Sequence, residues 1–98
     1  MNQKEQIEKT IAFVKETLKH AEGGHDWFHT LRVFNNCSLI SKNEEVDVFV
    51  VQLGALLHDI ADSKFHDGDE TLGPKLARDF LNSIQVEKKV IDHVINII

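Results

Sequence analysis

The chain has almost no cysteine. Cys37 is alone among 98 residues, so an internal disulfide is excluded. Its position in a helical apolar pattern predicts a buried, reduced side chain rather than a reactive thiol. Also missing is any apolar run near the ~20 residues that a membrane span requires. The opening MNQKEQIEKT is too polar and too mixed in charge for a signal peptide. No membrane partner is expected, and a cytoplasmic location follows as the default. Basic residues are in deficit, 11 Lys and Arg against 16 Asp and Glu, for a net charge of −5. A general nucleic-acid surface needs clustered Lys and Arg, so no nucleic-acid partner is expected. A small phosphorylated molecule is not excluded, because a bound metal ion reverses the local field. Internal repeats, low-complexity tracts and strand–turn–strand patterns are absent as well.

What is present describes one globular domain over residues 1–98, with 42% apolar and 28% charged residues. A chain of this length buries only about 60–65% of its unfolded surface, so the core is modest. Ile7, Ile11, Val14 and Leu18 form one stripe of a helix from about Lys4 to His20, which Gly23-Gly24 ends. His20 at that end complements the helix dipole. Asp26 caps a second helix running to about Ser41, with Trp27, Phe28, Leu31, Phe34, Cys37 and Ile40 as a broad apolar surface. From Val46 to His58 the chain is apolar almost all round. Its length favours a central buried helix over a strand. Asp69 is placed to cap a fourth helix reaching about Asn82, with Leu72, Leu76, Phe80 and Leu81 near helical spacing and Pro74 in its first turns. A fifth helix begins near Val86 and presents Val90, Ile91, Val94, Ile95 and Ile98. The fold class is therefore all-α, a bundle of about five helices. No Gly or Asn stop signal follows Ile97-Ile98. This predicts an N-terminal portion truncated in its last helix, or a last helix that packs against something else, a second copy included. A homodimer through that helix is the corresponding partner expectation.

The residues that carry chemistry fall in three places: His25, Asp26 and His29; His58, Asp59 and Asp62; His66, Asp67 and Asp69. Imidazole with carboxylate suits a divalent ion such as Mn, Fe, Co, Ni, Zn or Mg. His58 and Asp59 sit where the long apolar helix ends, roughly 100° apart around its axis, so an ion meets both only near the helix end. His29 and Arg32, three apart, share a face of the second helix. Where that face meets the end of the third helix, His29, His58 and Asp59 converge on one ion. Taken singly, a His-Asp dipeptide is commonly an exposed helix terminus, and a lone helical His is commonly packed or solvated.

The segments HDWFHTLRV, residues 25–33, and LGALLHDIAD, residues 53–62, together resemble the two ligand-bearing blocks of the HD superfamily of metal-dependent phosphohydrolases. The longer pattern is similar to a bacterial subgroup of predicted HD hydrolases. The resemblance spans roughly residues 20 to 82. It implies an HD-like helical bundle with His29, His58 and Asp59 as metal ligands and a divalent cofactor of unknown identity. It also implies hydrolysis of a small phosphomonoester, a nucleotide among the candidates, by metal-activated water. Asp62 falls where several members carry an acidic group that assists proton transfer, against the plainer role of a helix-end carboxylate. The family's last ligating Asp has no convincing equivalent, and Asp92 is not assigned to that role.

Other positions have two readings each. Arg32 is the first candidate for a phosphate clamp, because its planar fork fits two oxygens; a surface or helix-pairing arginine is the competing role. Lys64 is within reach of a substrate phosphate or is a solvated loop lysine. His25 is a group supporting the ligands from behind, a substrate contact or a second-metal ligand, while Asp26 has the competing role of helix cap. His66 and Asp67 are placed to line the pocket entrance, and His93 reads as a core or surface histidine. The alternative to an enzyme is a non-catalytic HD-like module, binding a ligand through an incomplete site or pairing through its last helix.

Overall fold

The computed structural model describes residues 1–19, 26–42, 47–62 and 66–98. Among them are five α-helices and no strand: α1 (Gln3–Thr17), α2 (Trp27–Ser41), α3 (Val48–Ala61), α4 (Leu72–Ser83) and α5 (Lys88–Ile97). The all-α class expected from the apolar spacing is the one observed.

Three helices start at acid or amide caps. Asn2 accepts from the Glu5 N–H at 2.8 Å, Asp26 from the His29 N–H at 2.8 Å, and Asp47 from the N–H groups of Phe49 and Val50. The Asp47 cap starts α3 at Val48 rather than Val46, and the helix runs past His58 to Ala61. The start of α4 departs further from expectation. Asp69 does not cap it; its carboxylate accepts from the N–H and hydroxyl of Thr71, and Leu72 is the first helical residue. Asp67 and Gly68 ahead of it hold φ of 56° and 88°, closing a tight turn in which the Asp69 N–H donates to the His66 carbonyl. Pro74 fits the first turn of α4, where its missing N–H costs nothing.

The turn from α4 to α5 is made by a residue that does not advertise it. Gln85 takes φ 65°, its N–H donates to the Asn82 carbonyl, and the Val86 N–H donates to the Leu81 carbonyl. These bonds form a Schellman motif with buried Val86 close to buried Leu81 in sequence and hydrogen bonding. The chain is thereby redirected, and α5 starts at Lys88 rather than Val86.

The centre of the bundle is α3. It packs against α1, α2, α4 and α5, and ten of its residues from Phe49 to Ala61 are buried. Its near-continuous apolar sequence follows from having neighbours on all sides. The buried line of α1 is Gln6, Thr10, Val14 and Leu18, with Ile7 and Ile11 at its half-buried edge. The Gln6 amide remains satisfied by donating to the Ile84 carbonyl at 3.2 Å. In α4 the inward residues are Gly73, Ala77 and Leu81, so Leu72 and Leu76, expected inside, face outward. The reason is close approach: a Cβ at Gly73 would lie 2.5 Å from the Ala61 Cα. Phe13 of α1 and Phe80 of α4 stack at 4.0 Å between ring centroids.

α2 packs mainly on α3, which leaves its far side open. Phe28 is 72% exposed, Leu39 and Ile40 64% each, and Cys37 is half-buried rather than buried. α5 turns Ile91 and Val94 fully into the core, with Val90, Ile95 and Ile98 packed beside them. The apolar face offered above for dimerisation is therefore largely used within the chain, while Ile97, outside that face, is exposed at 53%. No described helix is long and apolar enough to cross a membrane.

Candidate metal centre

Two elements bring the ligand candidates together. The Asp26 cap fixes where α2 begins and so sets His29 in its first turn, facing the end of α3. The buried length of α3 delivers His58 and Asp59 to that same place, in its last turn. One donor atom from each of His29, His58 and Asp59 lies within 4.8 Å of the other two. His58 Nε2 is 3.2 Å from Asp59 Oδ1, His29 Nε2 is 4.0 Å from Asp59 Oδ2, and the two imidazole centroids are 5.9 Å apart. An ion with ligand distances of about 2.0–2.2 Å needs donors roughly 3–4 Å apart, so small side-chain rotations suffice.

Hydrogen bonding makes the fit chemical as well as geometric. His58 Nδ1 lies 2.6 Å from the Ala55 carbonyl, which can only accept, so Nδ1 carries a proton. The other ring nitrogen, Nε2, lies 3.2 Å from Asp59 Oδ1. A proton or a cation shared between this nitrogen and the carboxylate suits such an approach. The orientation of a ligand histidine by a backbone carbonyl is what metal sites ordinarily use. Asp59 is 5% exposed, and the Thr30 hydroxyl donates to its Oδ2 at 2.9 Å. A carboxylate this buried needs such partners, since desolvation penalises an unpaired charge.

Asp62, the C-cap of α3, is half-buried and shares with His58 the wall of a hollow of about 450 Å³, completed by Ala61, Glu70, Pro74, Ile97 and Ile98. Its lining thus mixes apolar side chains with the carboxylates of Asp62 and Glu70. His66 is not part of that wall: its Nε2 lies 2.6 Å from the Ile60 carbonyl and satisfies one of the end carbonyls of α3. Arg32 is exposed on α2, one turn from His29, and does not line the hollow. Asp67 is exposed in the turn before α4, and His93 is exposed on α5. Asp92 pairs with Arg78 at 2.9 Å, joining α5 to α4. His25 and Lys64, like His20, lie outside the described residues. Glu70, Pro74, Ile97 and Ile98, which line the hollow, and Thr30, which bonds Asp59, were not singled out for the site from the sequence. Only Glu70 carried a signal, as an acid adjoining the HDGD cluster.

Among the described residues, the exposed Asp69 before α4 has a lowered pKa. The Thr71 hydroxyl beside Asp69, helped by the Thr71 N–H, holds its carboxyl below the usual value of 3.8.

Comparison with known proteins gives two matches. A family model described as HD domain matches residues 27–98. "Uncharacterized protein YpgQ" of Bacillus subtilis (strain 168) is 35% identical over 98 residues, which is 100% of this chain and 47% of that protein. The chain thus spans about half the length of that relative. No solved structure gives a significant match.

Proposed function

The chain belongs to the HD-domain family, and from that premise we propose that it carries the metal centre of a phosphohydrolase acting on a small phosphomonoester, a nucleotide among the candidates. The observation that supports this best is the clustering of His29, His58 and Asp59, with one donor atom of each within 4.8 Å of the others and His58 Nε2 3.2 Å from Asp59 Oδ1. His29, His58 and Asp59 would hold a divalent ion, which supplies Lewis acidity toward a phosphoryl oxygen and acidifies water near neutral pH. The chain's own groups do the rest. Asp62, which lines the hollow together with His58, would accept a proton from attacking water or return one to the leaving oxygen. Arg32, exposed one turn from His29 and outside the hollow, would have to reach the phosphoryl oxygens from beside the metal to offer them its planar cation. Pro74, Ile97 and Ile98, apolar members of the hollow's lining, would reduce the water beside a substrate bound there.

A second reading, a non-catalytic module with the same metal site, draws on Asp92. That carboxylate is engaged by Arg78, and the ligand group among the described residues stays at three. Metal retention with turnover separates the two. Elemental analysis of the purified chain beside a His58→Ala control is expected to show near-stoichiometric metal that the control lacks. A phosphomonoester screen with the loaded chain, with Asp62→Asn alongside, then tests catalysis. Turnover that Asp62→Asn lowers while sparing the metal supports the hydrolase. Metal without turnover on any phosphomonoester supports the module, and absence of metal in both samples rejects the metal centre.

A further inference from the structure

Thr30 is fully buried, and its hydroxyl is used unlike the other helical hydroxyls near it in type. Thr10 donates to the Gln6 carbonyl at 2.7 Å, Ser38 to Phe34 at 2.8 Å and Ser41 to Cys37 at 2.7 Å. Each returns its proton to the carbonyl four residues back, the local option open to any helical Ser or Thr. Thr30 has the same option toward the Asp26 carbonyl, which its own backbone N–H already approaches at 3.3 Å. It instead reaches across to α3 and donates to Asp59 Oδ2 at 2.9 Å. A carboxylate oxygen is an acceptor only, so the direction of this bond is fixed.

The consequence for the site is geometric. With Oδ2 held by Thr30, the carboxylate cannot spin about its terminal torsion, which is otherwise soft. Oδ1 stays turned toward His58 Nε2. The same bond ties the helix that carries His29, the residue just before Thr30, to the helix that carries His58 and Asp59. We infer that Thr30 is a positioning residue of the metal centre, whose hydroxyl fixes the Asp59 carboxylate and locks the two ligand-bearing helices in register. This rests on the metal-centre reading above. A buried hydroxyl with a purely structural role would contribute to stability alone, whereas a positioning hydroxyl sets affinity and ligand field.

The test is titration of Co²⁺ into the chain, wild type beside Thr30→Val and Thr30→Ser. The visible cobalt bands and the dissociation constant are read together, with thermal melts of the metal-free proteins. Outer-shell partners of metal ligands are typically worth about 10–100-fold in affinity. Thr30→Val is expected to bind more weakly by that factor with shifted bands, and Thr30→Ser, which keeps the hydroxyl, to retain the wild-type bands and most of the affinity. A Thr30→Val chain that melts earlier but binds Co²⁺ with unchanged affinity and bands would overturn the positioning role and leave the metal centre standing. Wild-type chain that takes up no Co²⁺ overturns the metal centre and this inference with it. Should Thr30→Val not fold, Thr30→Ala beside Thr30→Ser makes the same comparison, and equal affinities overturn the role.

Discussion

Replacing Gly73 by alanine puts a methyl group where the backbone of the neighbouring helix already is. The added Cβ would lie 2.5 Å from the Ala61 Cα and 2.6 Å from its carbonyl carbon and oxygen. Carbon atoms pack best at about 3.5–4.0 Å, so the start of α4 has to recede from the end of α3 by roughly 1 Å. Overpacking of this kind costs about 1–3 kcal/mol. Alanine's better helix propensity returns at most about 0.5–1 kcal/mol. The expected net is a loss of about 1–2 kcal/mol, which for a domain near 100 residues lowers the melting temperature by roughly 5–15 °C. Urea denaturation at 25 °C measures it directly, as a lower midpoint with an unchanged slope. Gly54→Ala is the internal comparison. There the nearest atom is the Cδ1 of Ile97 at 2.8 Å, the tip of a half-exposed side chain that can rotate away, so the cost is much smaller. A Gly73→Ala midpoint equal to or above wild type, or a larger loss at Gly54, would refute the backbone-contact argument.

Three further outcomes follow from the caps, the shifted carboxylate and the metal centre. Asp26→Ala removes the acceptor for the His29 N–H at 2.8 Å and is expected to cost about 1 kcal/mol in urea unfolding; no change would mean water replaces the cap. Asp69 is expected to titrate below 3.8 by carbon-detected NMR, and to move upward in Thr71→Val, which removes the largest cause of the lowering. Because the folded value is depressed, the contribution of Asp69 is present at neutral pH and is lost as pH falls through that lowered value. An upward-shifted Asp69 would contradict the hydrogen-bond geometry. Finally, Mn²⁺ at about one hundred times its dissociation constant should stabilise the chain by about 2.7 kcal/mol in thermal melts, and His58→Ala should show no such shift; an equal shift in the variant would place the ion elsewhere.

The parts of the fold that were legible in the sequence are those set by local chemistry. Asp26 announced the start of α2, and the unbroken apolar run announced a central α3. Less legible were features fixed by contact between helices. Leu72 and Leu76 have suitable spacing for an inner face, but α4 turns Gly73, Ala77 and Leu81 inward because the close approach to Ala61 tolerates only a small residue there. The sharp turn at Gln85 uses a positive φ that residue type alone would assign to Gly or Asn. At the candidate site, His29, His58 and Asp59 were offered by the resemblance of two sequence blocks to the HD superfamily, and the fold brings one donor atom of each within 4.8 Å of the other two. Thr30 was not offered, since a helical threonine next to a histidine is like any other until its hydroxyl is seen to leave its own helix.

The unequal packing of α2 and α3 has a consequence for how the site comes apart. α3 has helices on four sides, while α2 rests mainly on α3 and leaves Phe28, Leu39 and Ile40 to solvent. Amides deep in α3 exchange with solvent only when most of the bundle opens, whereas α2 can lift away as a smaller cooperative unit. Such an opening carries His29 and Thr30 off together and leaves His58 and Asp59 in place on a still-folded helix. An ion held by all three side chains would then act as a staple on α2, slowing its amide exchange far more than that of α3, and its release would be timed by the lifting of one helix rather than by the unfolding of the domain.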